Sequence, residues 1–185
     1  MKRSPLSRLR ALDLRATERL RRLAARRAGR AALSLIAHSG DSLLLIPLLA
    51  LLWWAERFSR EALAVPLIAG YAASVVCTTL VKYAVRRRRP EGEWGALYRR
   101  TDPHSFPSGH AARAVTLTLV VLARQLLAAG VVLAVWSLAV GLARVALGVH
   151  FVLDVLAGCL LGLAVGSAVW IWMAHGLPGL PAFPW

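Results

Sequence analysis

Three short polar blocks carry side chains able to hold a phosphate and break a bond to it. The first is Lys82, followed after six residues by Arg89-Pro90. The second is Pro107-Ser108-Gly109-His110. The third is Arg144, followed after five residues by His150 and after three more by Asp154. Together they supply three permanent cations, two imidazoles and one carboxylate. His150 and Asp154 are four apart, so on a helix they share a face one turn from each other. A carboxylate so placed accepts a hydrogen bond from one imidazole nitrogen, fixes the tautomer and leaves the other nitrogen as a nucleophile. Read alone, the pair is also the pattern of an intrahelical contact that neutralises two polar groups.

The cations suit the same chemistry. An arginine fork binds phosphate oxygens two at a time and lysine adds a point charge. Arg144, Arg89 and Lys82 around one phosphorus would offset the charge that develops in phosphoryl transfer. In the run Arg86 to Arg89 the spacing singles out Arg89, and Arg86, Arg87 and Arg88 read as headgroup contacts. The backbone amides of Ser108 and Gly109, at a helix N-terminus, would cradle an anion, with glycine allowing close approach. His110 is then placed to protonate a leaving oxygen; the plainer reading is an N-cap serine with an incidental histidine. Beyond Asp102 the one acidic residue is Asp154, too few carboxylates for a two-metal mechanism. The reading therefore assigns no metal and no cofactor.

These residues must be positioned by a hydrophobic chain. Of 185 residues, 58% are hydrophobic and 17% charged, too apolar a balance for an ordinary soluble domain of this size. The runs Ala62–Val81, Ala128–Val149 and Phe151–Met173 each approach the ~20 residues that a spanning helix requires. The net charge is +14, and 11 of the 23 basic residues fall in the first 30 positions. Beside membrane spans, such segments report orientation and contact with anionic lipid headgroups rather than nucleic acid. Residues 1–30 read as a basic amphipathic helix on the membrane surface, with Leu6, Leu9, Leu12, Leu20 and Leu23 set against arginines; a solvated helix or a disordered basic tail is the alternative. Residues 31–175 form the transmembrane domain, with a catalytic loop over 83–110, and 176–185 a Pro/Gly tail.

The expected fold is all-α, a polytopic membrane bundle of about five transmembrane helices. The first runs from Ala32 to Trp54, anchored by Trp53 and Trp54. The second covers Ala62 to about Val81 and the third Ala111 to Leu127, with a tight turn at Ala129-Gly130. Gly148 turns the fourth into the fifth, which ends near Met173. Counting crossings places all three blocks, and the N-terminus, on one face. Cys77 and Cys159 lie in different spans and read as packed, inert thiols.

The three blocks, in this order and at this spacing, resemble the signature of the type-2 phosphatidic-acid phosphatase superfamily of membrane lipid phosphatases. The resemblance runs from Lys82 to Asp154. It implies that His150 is a nucleophile forming a phosphohistidine, that Asp154 orients it, and that His110 is the general acid that later activates water. It further implies that Lys82, Arg89, Ser108, Gly109 and Arg144 bind the phosphate without metal. Ala143 departs from the pattern, which often has serine there; the missing hydroxyl is worth about 1 kcal/mol. Short bacterial relatives imply a polyprenyl (di)phosphate substrate, ahead of phosphatidic acid or phosphatidylglycerol phosphate.

Other polar residues read more plainly. His38 and Asp41 start the first span on the site's face and serve structure, the arginine loop or the substrate. His104 reads as a loop residue, Arg113 as a neighbour of phosphate or headgroup, His175 as interfacial, and Trp170 and Trp172 as belt aromatics. The basic N-terminus and the arginine run favour a cytoplasmic site in the plasma membrane; relatives that recycle undecaprenyl carriers argue for the outer face. The rival from another class is a non-enzymatic lipid binder or transporter, which needs no nucleophile backed by a carboxylate. Oligomeric state is left open.

Overall fold

A computed structural model describes residues 5–27, 29–57, 63–91 and 93–176. Eight helices follow in order: α1 (Pro5–Arg27), α2 (Arg30–His38), α3 (Ser42–Glu56), α4 (Ala64–Val85), α5 (Glu93–Thr101), α6 (Gly109–Ala123), α7 (Leu127–Ala146) and α8 (Val152–His175). The fold is all-α. Helices α4, α7 and α8 are long and apolar enough to cross a membrane, and the bent pair α2–α3 passes the same test when the two helices are taken as one span. Their outward faces are apolar, with Leu43, Val132, Leu138 and Leu160 exposed, because lipid rather than water is their solvent.

Helix α6, at 15 residues, falls short of the ~20 for a free-standing span. It lies at the centre of the bundle against α4, α7 and α8. Its contact with α8 is made by Gly158, Gly162 and Gly166, spaced every fourth residue along one stripe. A Cβ on Gly158 would fall 2.4 Å from the Ser108 carbonyl oxygen, and one on Gly162 2.5 Å from that of Ala112. Backbone therefore meets backbone, the small-residue packing that brings membrane helices close. Thr116 Oγ1 adds a hydrogen bond to the Gly162 carbonyl at 3.2 Å. This contact sets the start of α6 beside the start of α8, where two of the polar blocks lie. An apolar cluster of Leu67, Leu117, Val120, Val169 and Met173 fills the bundle away from that end.

Several boundaries differ from the sequence expectation. The first span is broken: α2 and α3 meet at 46°. At the break, the position a Gly40 Cβ would take lies 3.3 Å from the His110 ring, so the backbone approaches that histidine closely. Helix α4 continues to Val85, which puts Lys82 within its last turn. The turn after α6 falls at Arg124–Leu126, with Gln125 at φ +57, not at Ala129-Gly130; Gly130 lies within α7 and packs against Leu122. Gly148 does turn the chain, at φ +70. Loop 83–110 contains helix α5, whose short polar sequence gave no span signal.

Helix α1 covers most of the basic N-terminal segment. Leu9, Leu12 and Leu14 are exposed, whereas Asp13 and Thr17 are buried, against α7 and α8. Side chains of Leu6 and Leu23, and the tail 177–185, lie outside the described residues. Cys77 and Cys159 are free and partly buried.

Candidate active site

The three polar blocks converge at one end of the bundle. Lys82 comes from the last turn of α4, Arg89 from the loop after it, Arg144 from the last turn of α7, and His150 from the turn into α8. Arg89 is held by three contacts: Nε donates to the Asp102 carbonyl at 2.7 Å, Nη2 to Asp102 Oδ2 at 2.8 Å, and Nη1 to the Val149 carbonyl at 3.1 Å. The same Nη1 lies 3.2 Å from His150 Nε2. Lys82 Nζ donates to Asp102 Oδ2 as well. Arg144, 1% exposed, donates from Nη1 to the Tyr98 hydroxyl at 2.9 Å, and its guanidinium lies 4.5 Å from the Tyr98 ring centroid. The same ring is 5.2 Å from the guanidinium of Arg89. One aromatic from α5 thus steadies two cations.

His150 is buried, and its tautomer follows from its neighbours. An arginine nitrogen is always a donor, so Nε2 facing Arg89 carries the lone pair and Nδ1 the proton. Nδ1 lies 3.6 Å from Asp154 Oδ2, beyond a hydrogen bond, and has no partner among the described residues. Asp154 Oδ2 accepts instead from the Phe151 amide at 2.8 Å, and Oδ1 from Arg87 Nη1 at 2.7 Å. Burial, with the charges of Arg144, Arg89 and Lys82, holds the His150 pKa well below its ordinary value. The ring is therefore neutral, the form a nucleophile needs. By histidine-resolved NMR it should remain neutral at pH 6, where an unperturbed imidazole is about three-quarters protonated; a titration midpoint near 6.5 would contradict the burial.

His110 stands at the start of α6. Its Nε2 lies 2.5 Å from Asp41 Oδ1, while Asp41 Oδ2 lies 2.6 Å from His38 Nδ1. Ionised Asp41 can only accept, so His110 Nε2 donates its proton to Asp41 and the carboxylate orients the ring. Arg144 Nη1 is 3.9 Å from the same Asp41 oxygen. Ser108 N-caps α6, its Oγ accepting from the Ala111 amide at 3.5 Å, and its own amide donates to the Asp154 carbonyl at 2.8 Å. That bond ties the second block to the third. It also takes the Ser108 amide out of the anion cradle and leaves Gly109, whose absent Cβ makes room for Arg113 Nη1.

Of the remaining residues singled out in the sequence, Arg113 lies against the cluster at Gly109. His104 packs edge-on against Tyr83 with ring centroids 5.6 Å apart. Arg113 is buried in α6, 5.7 Å from the Tyr71 ring centroid. His175 ends α8, and Trp170 is exposed while Trp172 is partly buried. Ala143 packs with Ala37, Leu147 and Val149 in a small apolar cluster.

Three residues of the site were not assigned from sequence. Arg87, read as a headgroup contact, points inward to Asp154. Tyr98 had no motif to mark it. Asp102 counted only as a scarce acid, yet it bridges Lys82 and Arg89. Burial alone would raise the Asp102 pKa, but the hydrogen bond from Lys82 and the charges of Lys82 and Arg89 hold it below the ordinary carboxylate range. An ionised carboxylate therefore sits beside the expected phosphate seat. Asp102→Asn should strengthen inhibition by orthovanadate about fivefold, on the order of 1 kcal/mol for one like charge removed at partly screened distance; weaker inhibition would mean that the loosening of Lys82 and Arg89 outweighs the repulsion removed.

Two cavities adjoin the cluster. One, about 720 Å³, is lined by Arg86, Arg88, Arg89, Glu91, Arg99 and His104. The other, about 450 Å³, is an apolar groove between α3, α6 and α7 that starts at Ser39 and runs past Leu45, Leu48, Leu117 and Val132.

Comparison with known proteins shows the family. The PAP2 superfamily model matches residues 63–176. A protein of Escherichia coli (strain K12) named as an undecaprenyl-diphosphatase, YbjG, is 32% identical over 142 residues, covering 74% of this chain and 71% of that protein. Phosphatidylglycerophosphatase B of Bacillus subtilis (strain 168) is 30% identical over 139 residues, covering 69% and 67%. The crystal structure of a transmembrane PAP2-type phosphatidylglycerolphosphate phosphatase from Bacillus subtilis superposes with a TM-score of 0.68 at 24% identity, covering 84% of this chain and 83% of that one. That of Aquifex aeolicus LpxE gives 0.65 at 28%, covering 82% and 92%. The family model over residues 63–176 and the two sequence relatives, with a helical membrane fold, place the chain in the PAP2 superfamily, as a lipid phosphatase and hydrolase of phosphate esters.

Proposed function

We propose that the protein hydrolyses a polyprenyl phosphate or diphosphate through a phosphohistidine. The observation that carries this reading is the placement of His150, with its lone-pair nitrogen toward the cations and its protonated nitrogen toward Asp154. Nε2 attacks the terminal phosphorus, and the bond from that phosphorus to the oxygen of the lipid alcohol or lipid monophosphate breaks. The leaving oxygen takes a proton from doubly protonated His110, which stays paired with Asp41 and is left as neutral imidazole. Water then gives a proton to His110 and attacks phosphorus, breaking the P–N bond, freeing inorganic phosphate and restoring His150. Lys82, Arg89 and Arg144 hold the phosphoryl oxygens, with Ser108 and Gly109 shaping the wall beside them.

The tail stays in the bilayer, and the apolar groove beside Asp41 suits a long unbranched or isoprenoid chain. The name of the Escherichia coli relative favours a prenyl diphosphate, and that of the Bacillus subtilis relative a phosphatidylglycerol phosphate. Phosphate release by the purified protein from each of these lipids and from phosphatidic acid, with and without chelator, tests the reading. Turnover on prenyl substrates with an acid-labile, alkali-stable phosphoprotein supports it; no prenyl turnover, or loss of activity with chelator, sinks it. The site faces the cytoplasm from the plasma membrane in this reading, supported by the basic N-terminus on the same face. A cysteine introduced between residues 91 and 100 should resist an impermeant reagent in intact cells.

A further inference from the structure

Helix α8 is 24 residues long and begins beside the nucleophile, yet its N-cap, Phe151, has no side chain able to cap it. The amides of a helix's first turn need partners when buried. Here they find them on other segments. Asp154 Oδ2 meets the Phe151 amide. Thr17 Oγ1 accepts from the Val152 amide at 3.1 Å and Asp13 Oδ1 from the Leu153 amide at 2.9 Å. Both of the last two come from α1, more than 130 residues earlier in the chain.

Asp13 has a second partner. Its Oδ2 accepts from Arg87 Nη2 at 2.6 Å, while Arg87 Nη1 donates to Asp154 Oδ1 at 2.7 Å. The Arg87 guanidinium lies 4.0 Å from the Phe151 ring centroid, which fixes its plane. The carboxylates of Asp13 and Asp154 are both fully buried, and one guanidinium is ion-paired with both. Removing one partner from such a set leaves a buried charge uncompensated. Arg21, further along α1, lies over Gly148 in the same turn.

We propose that Asp13 is a positioning residue, and that α1 docks on the α7–α8 turn to hold Asp154, through Arg87, in the orientation that serves His150. The amphipathic helix is then a working part of the phosphatase. Arg87 held at both ends cannot swing toward the phosphate seat or into solvent, and Asp154 keeps Oδ2 toward the His150 ring.

This inference rests on His150 being the nucleophile. The test uses the full chain in lipid, reading kcat and KM for phosphate release and inhibition by orthovanadate, which reports the cation seat. Asp13→Asn keeps the shape and an acceptor for Leu153 but loses the ion pair. It should lower kcat about tenfold, with KM and the vanadate constant within twofold of wild type. In an Arg87→Ala background it should lower kcat no further, and Asp13→Glu should recover part of the loss. Arg15→Ala, on the exposed face of α1, should behave as wild type. If the asparagine variant does not accumulate, Asp13→Glu carries the test, with lowered kcat and unchanged vanadate inhibition. Unchanged kcat overturns the proposal, as does a parallel loss of kcat and vanadate binding, or an equal loss with and without Arg87. Turnover retained in His150→Ala, run alongside, refutes the reading of the site instead.

Discussion

His150→Ala should abolish phosphate release, by on the order of 10⁴-fold or more in kcat, while orthovanadate still binds. The basis is geometric. Its Nε2 is an uncharged nitrogen beside the cations, with Arg89 Nη1 3.2 Å from it. The cations are held independently of the ring, by Asp102, Tyr98 and the Val149 carbonyl. An anion seat therefore survives the truncation, and what disappears is the atom proposed to bond to phosphorus. Removing a nucleophile from a catalytic unit typically costs several powers of ten. Phosphate release in single-turnover and steady-state assays, with vanadate inhibition of any residual activity and vanadate binding measured directly, checks both halves. Hydrolysis within tenfold of wild type would mean that water attacks directly and that His150 has another role.

The second large effect lies outside the polar blocks. Gly158→Ala adds a methyl 2.4 Å from the Ser108 carbonyl oxygen and 3.0 Å from Ala111 Cβ. Neither the carbonyl nor the α8 backbone can rotate out of the way. The start of α6 must shift by an ångström or so, which breaks the 2.8 Å bond from the Ser108 amide to the Asp154 carbonyl. Overpacking of this kind costs about 1–3 kcal/mol, and misplacing His110 relative to His150 costs about 100-fold in rate. Gly166→Ala is the contrast, because its Cβ meets Leu119 Cβ and Cδ1 at 2.8 Å, two turns along α8 from Gly158 and away from the start of α6. Thermal unfolding and kcat measured on both variants should show similar modest destabilisation but a far larger rate loss for Gly158→Ala. Equal rates would remove the claim that this stripe sets the site.

That stripe shows where reading the sequence stopped short. Gly158, Gly162 and Gly166 are visible at a fixed spacing, and close helix approach is their usual meaning in a membrane; without a partner helix, the spacing does not say which backbone they meet. Gly148, by contrast, was legible as a turn because a lone glycine between two apolar runs has few other uses. Gly130 carried the same local signal and misled, since Leu122 packing against it inside α7 is a tertiary fact. The break in the first span was likewise hidden, because Ser39-Gly40-Asp41 interrupts a run whose hydropathy is otherwise continuous.

By itself the sequence determined the membrane setting, the helical class, the cations and the histidines that make phosphate chemistry possible, and the face on which they gather. Those properties depend on spacing along one chain and on hydropathy, both of which are local. Only the tertiary structure decided which carboxylate answers which cation. Asp154 stands behind His150 but bonds to Arg87, Asp41 takes His110, Asp102 takes Lys82 and Arg89, and Asp13 reaches from the first helix to complete the set. Charge pairing falls off with distance through space, not along the sequence, so four acids scattered over 140 residues acquire their roles only once the helices have packed.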